Sequence, residues 1–126
     1  MKKAFLIAGI TLPFLFFFSC RHDATLPEYQ VSFSTDILPI MSSNCWHSGC
    51  HSDTAMPAGA GSAPLETYEE ITSNNYVVPG KPHSSRIYNA ITGDGEELMP
   101  RDNYPALNDM QIRKIYIWIA QGAKNN

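Results

Sequence analysis

The sequence predicts a small all-α domain of about four short helices with long loops. Apolar residues recur at helical spacing in four places, and nothing alternates with period two over a useful length. Stretches rich in glycine, proline and small residues separate these places, at 51–64, 77–82 and 93–105. Because helices this short bury little apolar area, such a domain usually needs a cofactor, a metal or a disulfide for stability.

The first helix is predicted from Ile37 to about Asn44. Asp36 is suited to cap its N-terminus, and Pro39 would then lie in the first turn, where a missing N–H group costs nothing. Three apolar residues lie along one face of this segment: Ile37, Ile40 and Met41.

Two short helices are predicted in the middle of the chain. Leu65, Tyr68 and Ile71 keep i, i+3 spacing, which indicates a helix over about 66–73. The next helix begins at Ser84 or Ser85 and contains Ile87, Tyr88 and Ile91. It ends at Gly93.

The last helix has the clearest signals. Asn108 is a good N-cap residue, Gln111 completes a capping box, and Gly122 follows the helix end. We expect its apolar stripe to pack against the first helix, and Trp118 to serve burial or packing at a cofactor edge rather than redox relay. The stripe comprises Ile112, Ile115, Tyr116 and Ile119.

The N-terminus predicts an export signal over residues 1–19. Lys2 and Lys3 precede an uncharged apolar run, residues 4–18, and a small residue ends it. This run has fewer residues than the roughly 20 that a membrane-spanning helix needs. A retained N-terminal anchor helix is the alternative.

Cys20 predicts a lipid anchor. The segment "FFFSC" resembles a bacterial lipobox, in which the cysteine is lipidated and becomes the mature N-terminus, although Phe17 and Phe18 stand where aliphatic and small residues are more usual. Residues 20–32 would then be a tether leading to a domain over 33–123. The resemblance implies an exported protein of the bacterial cell envelope, a periplasmic or outer-membrane lipoprotein held at the membrane through Cys20. Ordinary signal cleavage and a free Cys20 are the alternatives.

The charge of the exported chain excludes two classes of partner. Residues 1–19 hold two of the 9 basic residues and no acidic one, so 7 remain against 12 acidic residues, a formal charge of −5. Nucleic acids and anionic lipid headgroups both need a basic face. We therefore expect no nucleic-acid partner.

The segment "CWHSGCH", residues 45–51, holds two of the three cysteines and two of the four histidines of the chain. Cys45, His47, Cys50 and His51 could form a zinc site, although structural zinc sites usually draw two pairs of ligands from separated segments. Cys45 and Cys50 could also form a disulfide after export, with His51 an ordinary surface histidine. A covalently bound haem is the third interpretation.

The same segment resembles the haem-attachment motif of c-type cytochromes, two cysteines followed at once by a histidine. The common motif has two residues between the cysteines, and this one has four, a longer spacing that also occurs among these cytochromes. The resemblance implies haem c bound through Cys45 and Cys50, whose thiols add across the two vinyl groups of the porphyrin. His51 is then the proximal iron ligand, and His47 points away from the iron.

The resemblance extends over about residues 33–123, to small exported bacterial cytochromes of the planctomycete type. It rests on "FSTDILPIMSSNCWHSGCH", "VVPGKPHSSRIYNAITG", "LMP" and "LNDMQIRKIYIWIAQGA". It implies a class I-like cytochrome c fold around one haem and an electron-transfer function.

Met99 is the expected sixth ligand of the iron. It lies in a long loop far enough along the chain from His51 to reach around a haem, and it is the methionine of "LMP". Met41 belongs to the first helix, Met56 follows the motif too closely, and Met110 begins the last helix. His83 is the rival ligand.

Two functions of different classes follow. The first is a haem-binding electron-transfer protein that exchanges electrons with exported redox partner proteins. The alternative is a non-redox exported lipoprotein whose interaction domain is stapled by a Cys45–Cys50 disulfide. No Ser/His/Asp arrangement stands out, so we expect no enzyme, with catalysis at an open haem iron as the remaining exception. Arg86, Arg101 and Lys81 could reach haem propionates but are more simply surface charges.

Overall fold

The computed structural model describes residues 25–47, 49–52, 63–101 and 104–126. The predicted signal segment, Cys20 and Met56 lie outside these residues. The elements are a π-helical turn (Phe33–Ile37), α1 (Leu38–Asn44), α2 (Tyr68–Thr72), a 3₁₀ turn (Pro82–Ser84), α3 (Arg86–Thr92) and α4 (Asp109–Ala120). The described residues contain no strand, which confirms the all-α prediction. None of their helices combines the length and apolarity needed to cross a membrane.

The first helix begins earlier than the sequence predicted. Its N-cap is Ser32, whose hydroxyl accepts the Thr35 N–H at 3.4 Å, so the predicted role of Asp36 as the cap is wrong. Asp36 lies in the first turn and its Oδ2 accepts the Ser32 N–H at 3.0 Å. In a capping box, the side chain that accepts the N-cap N–H lies three residues after the cap. Asp36 lies four residues after Ser32, because a π-helical turn is longer than an α-helical one.

α4 carries the predicted caps. The Gln111 N–H donates to Asn108 Oδ1 at 3.0 Å, the Asn108 N–H donates to Gln111 Oε1 at 2.9 Å, and Gly122 follows the helix with φ +99°. This confirms the predicted N-cap, capping box and glycine stop. The apolar stripe is broader than predicted. Four residues of α4 are buried, namely Ile115, Ile117, Trp118 and Ile119, whereas Ile112 and Tyr116 are only partly buried.

Trp118 lies at the centre of this core. It is 1% exposed, its Nε1–H donates to the Lys124 carbonyl at 3.0 Å, and its ring lies 5.6 Å from that of Phe33. α4 therefore packs on the π-helical turn that precedes α1. A salt bridge of 2.7 Å between Lys114 Nζ and Asp36 Oδ1 joins the same two elements.

Both ends of the described chain join this packing. The Val31 N–H donates to Gln121 Oε1 at 3.0 Å, and the side chain of Val31 is buried. Asn126 accepts the Phe33 N–H through Oδ1 and the Ser34 N–H through its carbonyl, both at 2.9 Å. These contacts extend the packed unit past 33–123 at both ends.

The two middle helices, α2 and α3, lie close to the predicted positions in the sequence. Thr67 and Glu70 form a capping box at the start of α2. Ser85 is the N-cap residue of α3, but its buried hydroxyl accepts the Val78 N–H at 2.8 Å and donates to the Lys81 carbonyl at 2.9 Å. α3 ends at Gly93, whose φ of +71° is readily adopted by glycine. α3 is thereby fixed with Ile87 and Ile91 facing inward.

Candidate functional site

A cavity of about 580 Å³ lies between the "CWHSGCH" segment, α3 and the loop that follows α3. Its volume is within the range of about 300–1,000 Å³ that is usual for ligand and cofactor sites. Four of the predicted site residues line it: Cys45, Cys50, His51 and Met99. The remainder of the lining is mainly apolar and includes Met41, Leu65, Ile87, Ile91 and Leu107, with charged residues in the wall formed by α3 and the loop.

The attachment segment, residues 45–51, is folded back on itself at the end of α1. The Cys45 N–H donates to the Met41 carbonyl at 2.8 Å, and the His51 N–H donates to the Cys45 carbonyl at 3.0 Å. Between them the Cys50 N–H donates to the His47 carbonyl at 2.9 Å. Gly49, with φ +80°, permits the tight return. The five-residue step from Cys45 to Cys50 is thus closed into a compact loop on the cavity wall.

The two cysteines of this segment are free thiols, each partly buried, and not a disulfide. Burial, with a smaller contribution from the neighbouring Cys50, raises the pKa of the Cys45 thiol to about 12. At neutral pH, Cys45 is therefore an uncharged thiol on the cavity wall. No three His, Cys, Asp or Glu side chains of the described residues are grouped as a metal site. This geometry favours neither the zinc nor the disulfide interpretation.

His51 has a defined tautomer. Its Nδ1 lies 2.8 Å from the Ala63 carbonyl. Because a carbonyl can only accept, Nδ1 carries a proton, and in the neutral imidazole Nε2 then keeps the lone pair, the arrangement typical of histidines that bind metals. The chain around Ala63 is held in turn, since the Leu65 N–H donates to the His51 carbonyl at 3.0 Å and the Trp46 indole donates to the Leu65 carbonyl at 2.7 Å.

Met99 lies on the distal loop, residues 93–104, which follows α3. Its N–H donates to the Ala90 carbonyl of α3 at 2.9 Å. Met41 also lines the cavity, but it precedes Cys45 by one helical turn and belongs to the wall of the attachment segment. Met110 is 62% exposed. Met99 is thus the described methionine that reaches the cavity from another segment.

His83 is placed elsewhere. Its ring contacts Tyr88 at 5.3 Å and Tyr116 at 6.0 Å, both edge-on, and it is not among the residues that line the cavity. This arrangement offers no route for His83 to the site without movement of the 3₁₀ turn that carries it.

Two arginines line the cavity, each paired with a glutamate. Arg86 Nε lies 3.1 Å from Glu96 Oε1, and Arg101 lies 2.8 Å from Glu97. All four side chains are at least 36% exposed. Lys81, the third predicted propionate partner, is not part of the lining. The guanidinium groups are therefore available to anionic groups only in competition with these carboxylates.

Sequence reasoning missed Tyr104. This residue lines the cavity, and its ring stacks on that of His47 with centroids 4.3 Å apart and planes 9° apart. His47 therefore faces the distal loop. No periodicity marks Tyr104, because it lies in a stretch rich in glycine and proline with no regular structure around it.

The chain was compared with models of protein families. The family model described as Planctomycete cytochrome C matches residues 48–103. The matched stretch includes Cys50, His51 and Met99 and begins after Cys45. Searches of curated proteins and of solved structures found no match.

Proposed function

We propose that this chain, whose residues 48–103 match the Planctomycete cytochrome C family model, is an exported monohaem electron carrier tethered through Cys20. One observation carries the proposal: two free thiols, a histidine whose Nδ1 donates to a main-chain carbonyl and a methionine from a separate loop line the same cavity. The cavity has the size of a cofactor site, and its lining is mostly apolar.

The residues fit haem c in the following roles. Cys45 and Cys50 would hold it through thioether bonds, His51 would be the proximal ligand and Met99 the sixth. Haem supplies a one-electron couple, and a His/Met ligand pair raises the reduction potential. The neutral state of Cys45 supports this assignment, because a thioether is uncharged and is compatible with an apolar wall.

This ligand set supports electron transfer rather than catalysis. With both His51 and Met99 bound to it, the iron would have no open coordination site for a substrate. An interaction domain stapled by a disulfide is less well supported, since the two thiols are free and partly buried on a cavity wall.

The test is expression of the full chain together with a cytochrome c maturation system, followed by denaturation and extraction of haem. Covalent attachment predicts haem that stays with the chain and reduced c-type absorbance bands. The matched controls are Cys45→Ser and Cys50→Ser, each of which leaves one thioether bond. Haem that extracts freely from the denatured wild type contradicts the proposal.

The membrane tether has its own test. Wild-type protein and Cys20→Ser are expressed in a bacterium fed a radiolabelled fatty acid, and the label and the fractionation are compared. Lipidation predicts a labelled, membrane-associated wild type and an unlabelled variant. An unlabelled wild type that fractionates with the periplasm supports ordinary signal cleavage instead.

A further inference from the structure

The stack of His47 on Tyr104 joins two parts of the site that are separate in the sequence. His47 belongs to the attachment segment, between the two cysteines, and Tyr104 belongs to the distal loop that carries Met99. The rings are 4.3 Å apart and nearly parallel, and both residues are partly buried. The contact is therefore a packed aromatic pair and not a chance approach of two exposed side chains.

The backbone beside each ring is hydrogen-bonded within its own segment, the attachment segment for His47 and the distal loop for Tyr104. The His47 carbonyl accepts the Cys50 N–H at 2.9 Å, which places His47 inside the closed attachment loop. The Tyr104 N–H donates to the Arg101 carbonyl at 2.9 Å, and Arg101 lies two residues after Met99 on the same loop. A movement of the distal loop away from the attachment segment would therefore separate the two rings.

The other side-chain contacts of the distal loop are weak by comparison. Its ion pairs, Arg86–Glu96 and Arg101–Glu97, are exposed, and exposed pairs contribute little to stability. The Met99 N–H bond to Ala90 anchors the loop to α3, not to the attachment segment.

We propose that His47 and Tyr104 form a latch that holds the Met99 loop closed over the haem. They are positioning residues and not ligands. His47 is one of the four residues between Cys45 and Cys50, where the common motif has two. The latch would thus give a function to the longer spacing of this attachment segment. The inference rests on the proposed function and concerns how the same site is regulated.

The experiment measures the rate at which cyanide binds to the purified ferric holoprotein. Cyanide requires Met99 to leave the iron, so its rate reports how often the distal loop opens. Since an aromatic pair is worth a factor of about 2 to 12 in an equilibrium, His47→Ala and Tyr104→Leu should each raise the rate by about that factor. Leucine keeps apolar volume at position 104, and the variant therefore removes the stack without leaving a void.

Three further variants separate a latch from a general loss of stability. Tyr104→Phe keeps the stack and should bind cyanide within about twofold of the wild-type rate. The double variant His47→Ala/Tyr104→Leu should bind no faster than the faster single variant, because both single variants break the same contact. His83→Ala removes a histidine with aromatic contacts outside the cavity and should leave the rate unchanged.

The outcomes distinguish the two proposals. A wild-type protein without covalent haem overturns the proposed function and the latch with it. Covalent haem with unchanged cyanide rates in both single variants overturns the latch alone. Effects that multiply in the double variant also overturn it, since they show two independent residues.

Discussion

The two walls of the cavity are built differently. The attachment segment is closed by backbone hydrogen bonds and braced by the Trp46 indole and the Ala63 carbonyl. The distal loop is held by the Asp94 and Met99 N–H bonds to carbonyls of α3, two exposed ion pairs and the ring of Tyr104. A segment with few buried contacts opens at lower free energy than a packed one. The proposed thioether bonds therefore lie on the more rigid wall, the attachment segment. Met99, the proposed ligand that can dissociate from the iron, lies on the wall that opens more easily, the distal loop.

The largest expected effect on folding comes from substitutions in the attachment segment. Cys45→Ala/Cys50→Ala removes both proposed thioether bonds, and we expect mostly unfolded protein without covalent haem, because the core around the cavity then lacks its largest apolar group. Far-UV circular dichroism and haem extraction measure this. A double variant that keeps the wild-type helical signal would show that the frame around α4 folds without the cofactor.

Met99→Ala tests the movable wall. We expect a lower reduction potential, loss of the long-wavelength sulfur-to-iron charge-transfer band and access of cyanide or CO to the iron, while haem stays covalently bound. Met110→Ala, at an exposed position of α4, is the matched control and should change none of these. If Met99→Ala keeps the band and the potential, another residue is the ligand and His83→Ala is the next variant.

Trp46→Phe weakens the brace of the attachment segment. It leaves the Leu65 carbonyl without its indole donor and should lower the free energy of unfolding by about 1 to 2 kcal/mol. Urea unfolding of the holoprotein measures the change. Because the distal loop is not touched, the charge-transfer band should stay. Its loss would show that the two walls are coupled more strongly than their contacts indicate.

Asp36→Asn tests the helix start that supports the attachment segment. The hydrogen bond to Lys114, with the Ser32 N–H, lowers the pKa of Asp36. A lowered pKa in the folded state means that the ionised form stabilises the fold at neutral pH, and that this contribution fades as pH falls below about 4. We expect the variant to lose about 1 kcal/mol near pH 7 and to approach the wild type in acid. A loss that is equal at pH 7 and pH 3 would contradict this account.

Glu97→Gln is expected to have the smallest effect. Its ion pair with Arg101 is more than 60% exposed on both sides, so the unfolding free energy should change by less than about 0.5 kcal/mol. Thermal unfolding at low and high salt measures it. A larger change would mean that the distal loop is held more firmly than its exposed contacts suggest.

The sequence predicted the parts of the fold that rest on local rules. Asn108 and Gln111 form the expected capping box because both partners lie within one turn. Ser32 was missed as a cap because a π-helical turn shifts its partner by one residue, a change that hydrophobic periodicity does not reveal. Trp118 was expected to be buried, but its partner Phe33 could not be predicted, since that contact joins segments far apart in the chain.

In the candidate site too, the residues with a local sequence pattern could be predicted, whereas a contact between distant segments could not. Cys45, Cys50 and His51 were recognised from their spacing, and the cavity brings them together with Met99. The stack of His47 on Tyr104 depends on how two irregular segments meet, and irregular segments have no period from which a contact can be predicted.

The Ala63 carbonyl has a consequence for how the site tolerates change. The atom that sets the His51 tautomer belongs to the main chain, so no replacement of a side chain at position 63 deletes it. A substitution at position 63 that leaves the backbone path unchanged should therefore be silent for the imidazole. The hydrogen bond constrains the course of the main chain at this position and not the identity of its side chain.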